Sequence, residues 1–155
     1  MPEVRGAQLP FDARAALRHL RRADPRMAML IGRVGPLRLE LSPARSPFET
    51  LLRAITHQQL SGKAAATIHG RLLQLFTGAP TPARLLDLPD TVLRRTGLSR
   101  NKLRAVRDLA TRTLDGSVPD FTALAAMSDA EVIARLTAVR GVGRWTVRSE
   151  ERRVG

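Results

Sequence analysis

Gly141 and Gly143 lie two positions apart in Leu136-Thr137-Ala138-Val139-Arg140-Gly141-Val142-Gly143-Arg144-Trp145-Thr146-Val147, between two apolar helical stretches. Losing two Cβ atoms lets the chain turn sharply and lets a ligand come close to the backbone. A helix then begins at that point. Its first N–H groups have no partner within the helix and its dipole is positive there, so the turn is an anion site before any side chain is counted. Arg144 adds a mobile cation. The pattern is that of a helix–hairpin–helix, a device that grips a backbone phosphate of nucleic acid.

The elements that must position this turn can be read from capping residues and apolar spacing. The first helix of the hairpin is opened by a capping box in Ser128-Asp129-Ala130-Glu131 and buried through Val132, Ile133 and Leu136. Ser46-Pro47-Phe48-Glu49 is another helix start, with Ser as N-cap, Pro at the first helical position and Glu placed to complete a box. Phe48, Leu51, Leu52 and Ile55 then share one face, which runs into Gln58 and Gln59. A second helix follows Ser61, with Ala65, Ile68, Leu72, Leu75 and Phe76 as its buried stripe before Gly78. Short helices are expected after Thr81-Pro82 and over Pro89 to Thr96. Gly97-Leu98-Ser99 turns into a longer helix bearing Leu103, Val106 and Ala110. Arg100, Lys102, Arg104 and Arg107 crowd that helix, and a solvated charged face is the commoner meaning of such a cluster. Residues 1–10 read as a loose arm. Phe11 to Leu20 and Met27 to Val34 carry short helical patterns, and Gly35 to Leu41 is an extended piece or a link. Almost no sheet is expected.

A chain of 155 residues with 43% hydrophobic content is the size of one domain with a real core. It has no 18-residue apolar run and no signal-peptide order at its start, so the reading places it in the cytosol, away from membranes and near the nucleoid. Without Cys there is no disulfide, thiolate zinc site or iron–sulfur cluster, and His19, His57 and His69 show no ligand spacing. The net charge of +12, from 26 basic and 14 acidic residues, favours a polyanionic partner. One Trp and no Tyr argue against a stacking platform for single strands.

Three segments coincide in order and spacing: Arg53-Ala54-Ile55-Thr56-His57-Gln58-Gln59-Leu60-Ser61, Thr96-Gly97-Leu98-Ser99-Arg100-Asn101-Lys102, and the hairpin Val139 to Thr146. Together, over about Phe11 to Val147, they resemble the helix–hairpin–helix superfamily of DNA glycosylases, specifically the 3-methyladenine DNA glycosylase II branch. The resemblance implies an all-α fold with two helical subdomains flanking a DNA groove. It implies hydrolysis of the N-glycosidic bond of alkylated bases in double-stranded DNA by a monomer that needs no cofactor. The target base must leave the stack, and the gap must be filled. Gln59 falls at the family's wedge position with Leu60 beside it; on residue pattern alone both could merely end a helix. Gly141, Val142, Gly143, Arg144 and Thr146 would hold the DNA backbone. Backbone carbonyls of Thr137, Val139 and Val142 would hold a structural Na+ or K+.

Members that also cut the strand carry Lys where this chain has Trp145, so the resemblance implies a monofunctional enzyme that leaves an abasic site. Trp145 would line the base pocket, stacking on a cationic alkylated ring; an indole packed in the core is the other reading. The family places a catalytic Asp roughly 20 residues beyond the hairpin, past Gly155. Asp108, Asp115, Asp120 and Asp129 precede the hairpin and read as surface or capping residues, so no catalytic residue is assigned. The organisation expected is an arm over 1–10, a partial glycosylase domain over 11–147 with its hairpin at 129–147, and an unrelated polar tail over 148–155. On that reading the fold is incomplete at the C-terminus and the chain inactive. The competing function is a non-catalytic DNA-binding module without sequence preference; a helix-turn-helix regulator is less favoured, because Gly-Val-Gly suits phosphate better than base edges.

Overall fold

The computed structural model describes residues 12–35 and 46–147, and all regular structure among them is helical. The order is α1 (Ala13–Ala23), α2 (Pro25–Val34), α3 (Pro47–His57), α4 (Gly62–Leu73), α5 (Pro82–Asp87), α6 (Asp90–Arg95), α7 (Arg100–Leu114), α8 (Phe121–Ala125) and α9 (Asp129–Thr137), then a helical turn at 144–147. No helix among the described residues is long and apolar enough to cross a membrane. The expected arm over 1–10, most of the Gly35 to Leu41 segment and the tail over 148–155 lie outside the described residues.

The described residues fall into two units, 12–35 and 46–147. In the first, α1 packs on α2. Asp24 serves both helices: its N–H closes α1 on the Leu20 carbonyl, and its carboxylate accepts the Arg26 N–H at 2.7 Å to open α2. The two sequence patterns therefore become helices longer than they showed, meeting at one residue.

In the second unit α7 is the central strut, packing against α3, α5 and α6, while α4 packs on α3. Its 15 residues make a rod of about 22 Å. Ser99 starts it by accepting the Lys102 N–H, and Leu103, Ala105, Val106, Leu109 and Ala110 form the buried stripe. Phe48, Leu51, Leu52 and Ile55 of α3 are buried against the same core, each contributing about 1.5–3 kcal/mol by leaving water. The capping box at α9 is complete, with Glu131 bonded back to the Ser128 N–H at 2.9 Å. Asp120 caps α8, a helix of five residues whose apolar spacing is too short to show a period. α4 ends at Leu73, and the chain reaches Gly78 through turns at Leu75 and Phe76.

Candidate functional site

The hairpin is held from both sides by its own valines. Val139, Val142 and Val147 are buried in the same hydrophobic core as the stripes of α3, α7 and α9, so the turn between them is displayed on a packed base. Gly141 has φ +77°, the left-handed region that side chains disfavour, and a Cβ there would lie 3.5 Å from the Ala105 Cβ on α7. Gly143 differs. Its φ is not left-handed and a Cβ would meet nothing of the protein within 4 Å, so neither turn geometry nor packing requires a glycine there. Its carbonyl accepts the Val147 N–H at 3.1 Å, which opens the last helical turn. Arg144 and Trp145 follow, both exposed, with the indole 81% accessible. The core-packing reading of Trp145 therefore does not hold in this structure.

Two polar ties fix the turn further. The Gln58 side-chain Nε2 donates to the Gly141 carbonyl at 2.8 Å, joining residues 83 apart in the chain. The Asp108 carboxylate on α7 accepts the Arg140 N–H at 2.7 Å and the Arg112 Nε at 3.0 Å. Asp108, read from sequence as a surface or capping residue, thus anchors the hairpin. Through Gln58 the structure brings together two of the three segments that carried the resemblance. Beyond Gln58, Gln59 has φ +55° with no glycine to excuse it, and both it and Leu60 are exposed, Leu60 by 40%. A strained residue beside an exposed leucine at a loop tip is a costly arrangement that persists where the surroundings enforce it.

The third segment comes in through Lys102. Its Nζ donates to the Thr56 carbonyl at 2.8 Å, closing an orphan acceptor at the end of α3 where a cation also suits the helix dipole. Burial holds this ammonium below the ordinary lysine value. Arg107 also turns inward: it donates to Asp90 at 2.7 Å and to the carbonyls of Leu85, Leu86 and Leu88. The basic cluster on α7 is therefore only partly the solvated face that its composition suggests. Lys102 could have been singled out from spacing, since it shares the stripe of Val106 and Leu109.

Behind the Gln58 loop, His57 and His69 stand edge to face with ring centroids 5.3 Å apart. Thr56 is buried; its hydroxyl donates to the Arg53 carbonyl at 2.8 Å and accepts from His69 Nδ1 at 3.0 Å. Burial, then the neighbouring His57 and Arg53, push His69 down to about 4 from its usual 6.5. His69 is thus neutral in the folded chain while the unfolded chain protonates it, and stability falls as pH drops from about 6.5 to about 4. With solvent screening the loss should reach about 1–2 kcal/mol. Urea titrations at pH 7 and pH 4.5 on the parent and on His69→Asn check this: the variant should lose less stability, and parallel losses would refute it. Among the described residues no cluster of His, Asp or Glu could hold a metal ion.

An all-helical body that carries a buried-valine hairpin, tied to a strained loop from another helix, defines a helix–hairpin–helix protein. Residues 52–154 match the model of the HhH-GPD superfamily of base excision DNA repair proteins, and the chain belongs to that family. It is 34% identical over 132 residues to DNA-3-methyladenine glycosylase 1 of Schizosaccharomyces pombe, covering 83% of this chain and 58% of the relative. It is 30% identical over 139 residues to the alkylbase DNA glycosidase-like protein mag2 of the same organism, covering 88% and 65%. The solved structure of S. pombe 3-methyladenine DNA glycosylase Mag1 in complex with abasic DNA superposes with a TM-score of 0.79 at 34% identity, over 86% of this chain and 66% of that one. The chain thus spans less than two thirds of the length of these relatives.

Proposed function

We propose that this chain is the DNA-gripping part of a monofunctional glycosylase that hydrolyses the N-glycosidic bond of alkylated bases such as 3-methyladenine and leaves an abasic site. The observation that carries the reading is the Gln58–Gly141 hydrogen bond, which locks the Gln59-Leu60 loop to the hairpin. A wedge and a phosphate grip must move as one body if a base is to be levered from its stack, because unstacking costs a few kcal/mol that the grip must sustain.

In this reading the backbone around Gly141, Val142, Gly143 and Thr146 receives a phosphate, with Arg144 adding charge, and the open space at Gly143 is where the phosphate comes close. Gln59 and Leu60 enter the gap left by the extruded base. Trp145, exposed beside the grip, stacks on the electron-poor ring. It has no nucleophilic amine, so water takes the sugar and the strand stays intact. Carbonyls of Thr137, Val139 and Val142 are the proposed ligands of a Na+ or K+. The Val139 carbonyl accepts the Val142 N–H at 3.0 Å and keeps a second lone pair for a hard cation; the ion would add positive potential at the turn.

Release of the base develops positive charge on the sugar and calls for a carboxylate. Asp12, Asp24 and Asp120 are spent on helix caps, and Asp90 and Asp108 are held by arginines. We infer that the 155 residues alone bind double-stranded DNA as a monomer, the grip that the enzymatic and the binding-module readings share. Methylated duplex DNA incubated with the chain and, separately, with the protein encoded by its full native reading frame decides the matter. The full frame should free 3-methyladenine and produce alkali-labile sites without strand scission. Absence of release from every alkylated substrate would remove the enzymatic reading and leave the binding module.

A further inference from the structure

Between α7 and the approach to the hairpin lies a cleft of about 640 Å³ walled largely by arginine. Arg100, Arg104, Arg107 and Arg112 come from α7, and Arg140 comes from the residue just before Gly141. Two acids share the wall, and both are already neutralised: Asp90 by Arg107 at 2.7 Å and Asp108 by Arg112 at 3.0 Å, with the Arg140 N–H on Asp108 as well. The surplus charge therefore sits on Arg100, Arg104 and Arg140. All three are exposed, and among the described residues their guanidinium groups have no hydrogen-bond or ion-pair partner.

Arg100 and Arg104 are four residues apart on α7, so they stand on one face about 6 Å from each other along the axis. That interval is of the order of the separation between neighbouring phosphates on one strand. A planar guanidinium with forked donors matches a phosphate oxygen pair. Arg140 belongs to the cleft and to the hairpin at once, which makes the two surfaces continuous.

We propose that this cleft is a second backbone clamp, in which Arg100 and Arg104 take phosphodiesters of the duplex flanking the one held by the Gly141–Gly143 turn. The proposal rests on the reading of the hairpin as a DNA grip and adds a separate contact on the same strand. A clamp at two places along a strand resists the torque of base extrusion better than one contact can.

The experiment uses the 155-residue chain, an Arg100→Gln/Arg104→Gln variant, and an Arg71→Gln/Arg135→Gln control that removes the same charge from exposed positions outside the cleft. Duplex affinity is measured across a salt series, and again on duplexes carrying a neutral methylphosphonate at one backbone position at a time. Each phosphate contact contributes close to one unit of slope in log K against log salt. The cleft variant should lose about two units and bind about tenfold more weakly near physiological salt, with the thermal midpoint unchanged. The control should change the slope by less than one unit. At one or two positions a methylphosphonate should weaken the parent and leave the cleft variant unaffected. Equal slopes for parent and cleft variant, or identical methylphosphonate profiles, would overturn the clamp while the hairpin reading stands. Failure of the parent to bind any duplex would overturn both.

Discussion

Gly97→Ala is expected to lower the stability of the chain by about 2–4 kcal/mol, as read from urea midpoints. Gly97 follows the C-cap of α6 with φ +106°, its N–H donating to the Arg94 carbonyl at 3.1 Å. Two separate penalties combine in the variant. An L side chain is strained at that φ whatever space surrounds it, and a Cβ would stand 2.9 Å from Cγ1 and 3.3 Å from Cδ1 of Ile68 on α4. Cγ1 is not the loose end of a long side chain, so α4 or the turn has to shift. The two penalties can be separated with Ile68→Ala, which removes the clashing atoms and leaves the backbone strain. The double variant should be more stable than the sum of the two single losses requires, by about 1–3 kcal/mol. Simple additivity would show that Ile68 is not what the new methyl meets. The consequence reaches the site, because this turn launches α7, and α7 carries Ala105, Asp108 and Lys102 to the hairpin and the Gln58 loop.

How much of this was legible in the sequence follows the range of each interaction. Caps act over three or four residues: the N-caps at Ser46 and Ser128 stand where the sequence put them, and the turns read at Ser61 and Ser99 end in serines that cap the helices after them. The stripes of α3, α4 and α7 are long enough for their period to show, whereas the five residues of α8 are not. The turn at Gly141 was legible because a left-handed position leaves its mark in residue type. What joins the turn to the rest of the site was not. The Gln58–Gly141 bond spans 83 positions and Asp108–Arg140 spans 32, and an amide or a carboxylate gives no local sign of a partner so far away. Arg107 illustrates the opposite trap: a charge run reads as a wet surface, yet one of its members threads inward to three carbonyls. The two histidines were set aside for lack of ligand spacing, and the structure places their rings edge to face, each within hydrogen-bond distance of the Thr56 hydroxyl.

The same contrast of local demands separates the two glycines of the hairpin, and the largest expected effect on function comes from using them as a pair. Gly141→Ala should cost about 1–2 kcal/mol of stability, because its φ of +77° is unfavourable for alanine even though the Ala105 contact at 3.5 Å is ordinary. Gly143→Ala should leave stability within about 0.5 kcal/mol of the parent: the new methyl meets open space, and the small preference for Gly over Ala at a helix start is offset by the lower backbone entropy of the unfolded variant. Open space on the protein side is what a phosphate needs if it is to reach the backbone N–H groups. A methyl group there takes up that space, and losing charge-assisted hydrogen bonds to one phosphate is worth about 1.5–3 kcal/mol. Duplex affinity of Gly143→Ala should therefore fall tenfold to a hundredfold. Fluorescence anisotropy with a labelled duplex, alongside thermal melts of the same samples, makes the comparison. A Gly143→Ala protein that melts like the parent and binds like the parent would mean that no phosphate comes to this turn, and the proposed grip would have to be abandoned.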